Sequence, residues 1–283
     1  MRKIAVVVCL LTLALAACGR NDSPTIDAVP EPTTINVEAA ETDGGGYRFG
    51  VDATATVDSL AKIVLKNAGA ESHNATLLRV ADGKTLDDLN AFFAATSPPA
   101  GPPPFSVGGG ATEVGGGDSV SVTQALPAGN YAFFCFIPGP DGTPHFAKGM
   151  VAPITITGNS TTSLPLPDGE NATMSEYKYD LPSLKAGTTT LRVRNSGAQD
   201  HEMAIGRVAD GKTAQDAQAW LTAPQGPPPF APVGGPVAGS NGGSNSFRLT
   251  LRKGTYVFYC NIPDVADQRS HLVHGMFQGV TIT

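Results

Sequence analysis

Apolar and polar positions alternate along this chain in short runs separated by turn residues. AKIVLK from Ala61, SVSVT from Ser119, TLRVR from Thr190 and FRLTL from Phe247 each put apolar side chains on every second position. That period turns one face of a strand inward and leaves the other to solvent, so each run predicts a half-buried strand. Two runs are richer in aromatics, Tyr131 to Cys135 and Tyr256 to Cys260, and predict central strands. Helical periodicity is confined to Thr85–Ala95 and Thr213–Ala223, each opening on a threonine N-cap with acidic residues in the first turn. GPPPF at Gly101 and Gly226, with the glycine runs after it, predicts a long loop before the next strand. Short strands with one inserted helix predict a Greek-key β-sandwich and an all-β fold class.

The pattern occurs twice. NAGAESHNATLLRVADGKT from Asn67 matches NSGAQDHEMAIGRVADGKT from Asn195, and PAGNYAFFCFIP from Pro127 matches RKGTYVFYCNIP from Arg252. HFAKGM from His145 matches HLVHGM from His271. Order is kept throughout, so the chain is a tandem duplication of one sandwich-sized unit. The boundaries follow from composition: 1–17 an export signal, 18–46 a flexible tether, 47–157 the first domain, 158–175 a linker and 176–283 the second domain.

The N-terminus changes the picture of where such a chain works. Arg2 and Lys3 precede the apolar run from Ile4 to Ala17, which is too short to span a bilayer and has the layout of a secretory signal. Its ending, Leu15-Ala16-Ala17-Cys18, resembles the lipobox of bacterial lipoprotein signals. That resemblance implies lipidation at Cys18 and a protein anchored on the outer side of a bacterial cell membrane. Without Arg2 and Lys3 the remaining 17 basic residues face 25 acidic ones, a net charge of −8. A mildly acidic surface gives no electrostatic basis for binding nucleic acid.

With Cys9 in the signal and Cys18 at its end, only Cys135 and Cys260 remain, one per unit. Two thiols in an oxidising compartment are either bonded to one another or held by metal. The repeat bears on this choice. His73 pairs with His201, Cys135 with Cys260, His145 with His271 and Met150 with Met276, so each unit carries His, Cys, His and Met in that order. His274 falls opposite Lys148 and lies outside the shared set. Two imidazoles and a thiolate in one plane with a weak axial thioether form the electron-transfer type of copper site, and a methionine ligand argues against zinc.

The units resemble cupredoxins, the superfamily of plastocyanin and azurin. The likeness lies in NAGAESH up to His73, in the aromatic strand ending at Cys135, and in the Gly149-Met150 pair after His145. It implies one copper per domain, bound by His73, Cys135, His145 and Met150 in the first and by His201, Cys260, His271 and Met276 in the second. One departure stands out: nine residues separate Cys135 from His145, and ten separate Cys260 from His271, more than is usual in that family. Pro138, Pro140 and Pro144 are expected to stiffen the longer loop.

No His-x-His pair is present for a second kind of copper centre, nor is there a Ser/His/Asp arrangement. The expectation is therefore a membrane-anchored, non-enzymatic electron carrier exchanging electrons with redox partners of the cell envelope. The alternatives are copper storage, buffering or delivery without redox traffic, and a metal-free interaction module.

Overall fold

The structure is a computed structural model and describes residues 31–283 apart from 98, 162, 163, 240 and 241. The expected export signal and Cys18 lie outside the described residues. The first unit contains β1 (Thr33–Glu41), β2 (Tyr47–Gly50), β3 (Thr54–Thr56), β4 (Ala61–Asn67), β5 (His73–Val80), α1 (Leu86–Ala94), β6 (Phe105–Val114), β7 (Ser119–Gln124), β8 (Gly129–Phe134) and β9 (Val151–Thr157). The second contains β10 (Glu170–Ser175), β11 (Lys178–Asp180), β12 (Gly187–Asn195), β13 (His201–Glu202), β14 (Ala204–Val208), α2 (Ala214–Thr222), β15 (Phe230–Pro232), β16 (Val237–Gly239), β17 (Ser244–Leu251), β18 (Gly254–Tyr259) and β19 (Phe277–Ile282). The alternating runs are strands, and β4 buries Ala61, Ile63, Leu65 and Asn67 while Lys62 and Lys66 face solvent. The fold is all-β with one short helix inserted per unit, as the periodicity predicts.

In the first unit the sheet β7-β4-β1-β2 packs on the sheet β3-β9-β8-β5-β6, and the chain crosses repeatedly between the two. Such crossing is the connectivity of a Greek-key sandwich. The aromatic strands β8 and β18 are interior to their sheets. Their inward residues Phe133, Cys135, Phe258 and Cys260 are fully buried in the main core.

The helices close the outer face of the second sheet. Thr85 caps α1 by accepting from the Asp88 N–H, while the Asp88 carboxylate accepts from the Thr85 N–H, a reciprocal capping box. Thr213 and Asp216 repeat it at α2. Phe93 of α1 stacks on Phe105 with ring centres 5.1 Å apart, and Trp220 of α2 meets Phe230 edge-on at 5.6 Å. GPPPF is thus a connector anchored by its phenylalanine.

Three expectations change. The span 18–46, expected as a tether, holds β1 from Thr33 to Glu41, paired in parallel with β4. Ile35, Val37 and Ala39 alternate there and are buried, because β4 would otherwise leave its backbone edge and apolar face unpaired. Likewise the linker 158–175 ends in β10, which pairs with β12. The glycine run after GPPPF is strand, not loop: Gly108 to Gly110 lie inside β6. A Cβ on Gly110 (φ 108°) would collide with the Ala75 carbonyl of the neighbouring strand, so only glycine lets β5 and β6 approach.

The two sandwiches are not beads on a string. β7 of the first unit pairs antiparallel with β17 of the second, making one eight-stranded sheet in the order β11-β10-β12-β17-β7-β4-β1-β2. Val122 stands opposite Phe247, its own repeat counterpart, so the halves meet about a local two-fold axis. A single buried cluster runs from Ile35 through Val122 and Phe247 to Ile282.

Candidate metal centres

The first histidine of each unit is placed by an asparagine. Asn67, fully buried, donates to the carbonyls of Glu71 (2.6 Å) and Val114 (3.1 Å) and accepts from the Gly69 N–H at 2.9 Å. Asn195 makes the equivalent bonds to Gln199, Gly239 and Gly197. This folds the NAGAES and NSGAQD segments into the tight turn that starts β5 and β13 at His73 and His201.

The cysteine ends the central strand. Cys135 is fully buried and its sulfur accepts from the Asn74 N–H at 3.4 Å; the Cys260 sulfur accepts from the Glu202 N–H at 3.4 Å. Both cysteines are free thiols, each in its own unit.

The long gap to the second histidine resolves simply. In the first unit Pro138 and Pro144 form an antiparallel bridge and the Gly139 N–H donates to Thr143, so the extra residues leave as a small hairpin. The chain re-enters where it left: the His145 N–H donates to Ile137 and the Phe146 N–H to Cys135, both at 2.9 Å. In the second unit Pro263 bridges Ser270, and His271 and Leu272 donate back to Ile262 and Cys260. The methionines follow at once. The Met150 N–H donates to His145 and its carbonyl accepts from Cys135; Met276 does the same with His271 and Cys260. Both are fully buried, and Gly149 (φ 100°) supplies the left-handed turn between His145 and Met150 that a side chain would oppose.

Three donor atoms therefore converge in each unit. His73 Nδ1 and His145 Nδ1 are 3.1 Å apart, with Cys135 Sγ 3.9 and 3.5 Å from them. His201 Nδ1 and His271 Nδ1 are 3.0 Å apart, with Cys260 Sγ 3.5 Å from the latter. All six side chains are buried.

The outer nitrogens show which form the rings take. His73 Nε2 lies 3.1 Å from Glu41, and His145 Nε2 lies 3.2 Å from Glu71. A carboxylate only accepts, so each Nε2 carries the proton and each Nδ1 keeps its lone pair. Burial holds both imidazoles below the usual histidine range, so they are neutral at pH 7. The two Nδ1 lone pairs, 3.1 Å apart, repel each other, and the single Cys135 thiol proton can meet only one of them, whereas a metal ion would meet both. Bonds of about 2.0 Å from imidazole and 2.3 Å from thiolate, as zinc makes them, would separate the donors in one plane by about 3.5 Å (N–N) and 3.7 Å (N–S). The observed spacings are close to these, and the residues fit a metal ion. Buried thiolate with two imidazoles, in units that each keep a fully buried methionine next in the chain, suits copper.

Residues that the sequence reading missed form the outer wall. Burial alone would raise the Glu41 carboxyl, but N–H donors from Ala70 and Glu71, with the nearby His73, hold it down to about 2. Glu71 accepts from the Tyr47 hydroxyl at 3.1 Å, and the Tyr47 ring stacks on His145 with centres 3.8 Å apart. In the second unit Glu176, Tyr177 and Gln199 take the places of Glu41, Tyr47 and Glu71, and Asp264 joins them by accepting from the Tyr177 hydroxyl at 2.6 Å. Glu41 fell in the presumed tether, where only the alternation of TTINVEAAE could have revealed it. His274 meets Asp267 at 3.1 Å, outside the donor set.

No family model and no curated protein matches the chain. Solved structures do. A dithionite-reduced auracyanin from Roseiflexus castenholzii is 23% identical, with 45% of this chain and 99% of that one covered and a TM-score of 0.30. A multicopper oxidase is 13% identical over 88% of each chain, with a TM-score of 0.29. The copper nitrite reductase of Nitrosomonas europaea is 14% identical over 89% of this chain and 94% of that one, with a TM-score of 0.28. The expectation of a non-enzymatic chain is corrected here, since a multicopper oxidase and a copper nitrite reductase, both enzymes, match over most of its length. The missing His-x-His pair speaks to one kind of copper cluster and does not decide whether a chain turns over substrate. The chain is a tandem of two β-sandwich units, each of which gathers a buried His-Cys-His donor set that fits a metal ion.

Proposed function

We propose that the protein transfers electrons through one mononuclear copper site per unit, held by His73, Cys135, His145 and Met150 and by His201, Cys260, His271 and Met276. The observation that carries this reading is the convergence of two imidazole nitrogens and one thiol sulfur, twice, in buried spaces spaced for a metal ion. Copper bound there supplies a one-electron Cu(II)/Cu(I) couple. The chain's part is to hold the donors in place so that little rearranges when the charge changes. Asn67 and Asn195 fix the first histidine, and the closed hairpins fix the second. Burial raises the Cys135 thiol to about 12, so metal binding must displace its proton, and loading strengthens with pH.

Export by the N-terminal signal, anchoring through a lipid on Cys18 and exchange with redox proteins of the cell envelope complete the proposal. Among the described residues no helix is long and apolar enough to cross a membrane. Titration of the metal-free protein with Cu(II) tests the reading. An intense visible thiolate-to-copper band is expected at two equivalents. Cys135→Ser and Cys260→Ser should each remove about half of it, since thiolate is the donor in each site. No band at either site overturns the proposal.

A further inference from the structure

The two sites share their inner donors but differ in what stands behind the imidazoles. In the first unit both outer nitrogens donate to carboxylates, His73 to Glu41 at 3.1 Å and His145 to Glu71 at 3.2 Å. In the second unit Gln199 replaces Glu71, and His271 Nε2 reaches only its neutral amide oxygen, at 3.4 Å. Among the described residues His201 Nε2 is buried without a hydrogen-bond partner, the Glu176 carboxylate lying 3.9 Å away. Asp264 is 4.0 Å from His271 Nε2, and that oxygen already accepts from Tyr177 and Gln199. So, among the described residues, the first site has two direct carboxylate partners and the second has none.

A carboxylate hydrogen-bonded to the far side of a ligand imidazole makes that ring more basic and a better donor to the metal. A better donor, with negative charge close behind it, favours the higher oxidation state. Resting on the copper reading above, we propose that the residue at position 71 in the first unit and 199 in the second sets the two sites at different reduction potentials. The first is the lower, and an electron arriving there passes on to rest on the second. Glu71 and Gln199 are positioning residues; neither offers an atom to the metal.

Acidic groups beside Cys260 oppose this order, Glu202 ahead of Asp200. Glu202, whose counterpart is Asn74, is buried, and its backbone N–H donates to the Cys260 sulfur; its carboxylate, when ionised, would lower the second potential. The order of the sites is therefore measured with Glu202→Gln present.

The test is a spectroelectrochemical titration of the copper-loaded full chain, following the thiolate band, with Cys135→Ser or Cys260→Ser silencing one site at a time. In the Glu202→Gln background the second site should hold the electron at least tenfold more strongly, about 59 mV for one electron. Glu71→Gln should raise the first potential and Gln199→Glu should lower the second, the two exchanges moving the sites in opposite directions. Equal potentials in that background, or exchanges that leave both potentials in place, overturn this inference while the bands themselves uphold the copper sites. Failure of any band to form would instead overturn the copper reading and this inference with it.

Discussion

Position 74 of the first unit and 202 of the second hold different side chains with the same structural duty. The Asn74 side-chain oxygen accepts from the Phe136 N–H, and a Glu202 carboxyl oxygen accepts from the Asn261 N–H, both at 3.0 Å. Burial pushes the Glu202 carboxyl up to about 7 from an ordinary 4.5. A carboxyl with the higher pKa in the folded state binds more protons there, so acid favours folding. The contribution is complete below about pH 4.5 and is lost as the pH rises through about 7. The stability of metal-free Glu202→Gln relative to the unaltered protein should therefore rise with pH through that window, while the buried histidines, whose pKa values are lowered, act on both proteins alike. Chemical denaturation of both proteins at pH 5 and pH 8 checks this, and parallel pH profiles would count against it.

At the scale of elements, the second sheet carries the metal donors and the helices hold its outer face. In the first unit Phe93 of α1 also touches Phe136 and Phe146, ring centres 5.4 and 5.3 Å away, which flank the hairpin between Cys135 and His145. α1 thus bears on the loop that returns the second histidine. Thr85→Ala removes one half of the capping box and is expected to cost about 1 kcal/mol. The shift in denaturation midpoint measures it, with Thr85→Ser restoring most of the loss. The hairpin insertions have a simple element-scale logic. They are closed by their own backbone bonds, so their length does not reach the donor atoms.

Across the whole molecule, the eight-stranded sheet joins the units through β7 and β17, and the buried cluster continues from one to the other. Separating them would strip β7 and β17 of a shared edge and bare apolar side chains on both sides. One cooperative unfolding transition is expected for the full chain. Trp220 is the only tryptophan and lies in the second unit, so its fluorescence follows that unit while far-UV circular dichroism follows both. The two curves should coincide; a Trp220 transition well apart from the dichroism would show that the joined sheet does not couple the halves.

Strand periodicity, the threonine-capped helices, the duplication and the His-Cys-His-Met order were legible in the sequence, because each is a local pattern or a comparison of one half with the other. The same comparison of halves singled out His73, Cys135 and His145, and His201, Cys260 and His271, which the fold brings together in each unit. β1 and β10 were not, since composition rich in Thr, Glu and Ala reads as linker until the partner strands β4 and β12 supply an edge to pair with. The carboxylates behind the histidines were equally hidden: Glu41 lies 32 residues from His73 and Glu71 lies 74 from His145, and nothing local ties them. Sequence spacing likewise made the Cys-to-His gap look too long, whereas a Pro138–Pro144 bridge closes it. Local order determined which residues recur as a set; the folding of distant strands onto one another decided that they meet and what surrounds them, because hydrogen bonds and charge act through space and not along the chain.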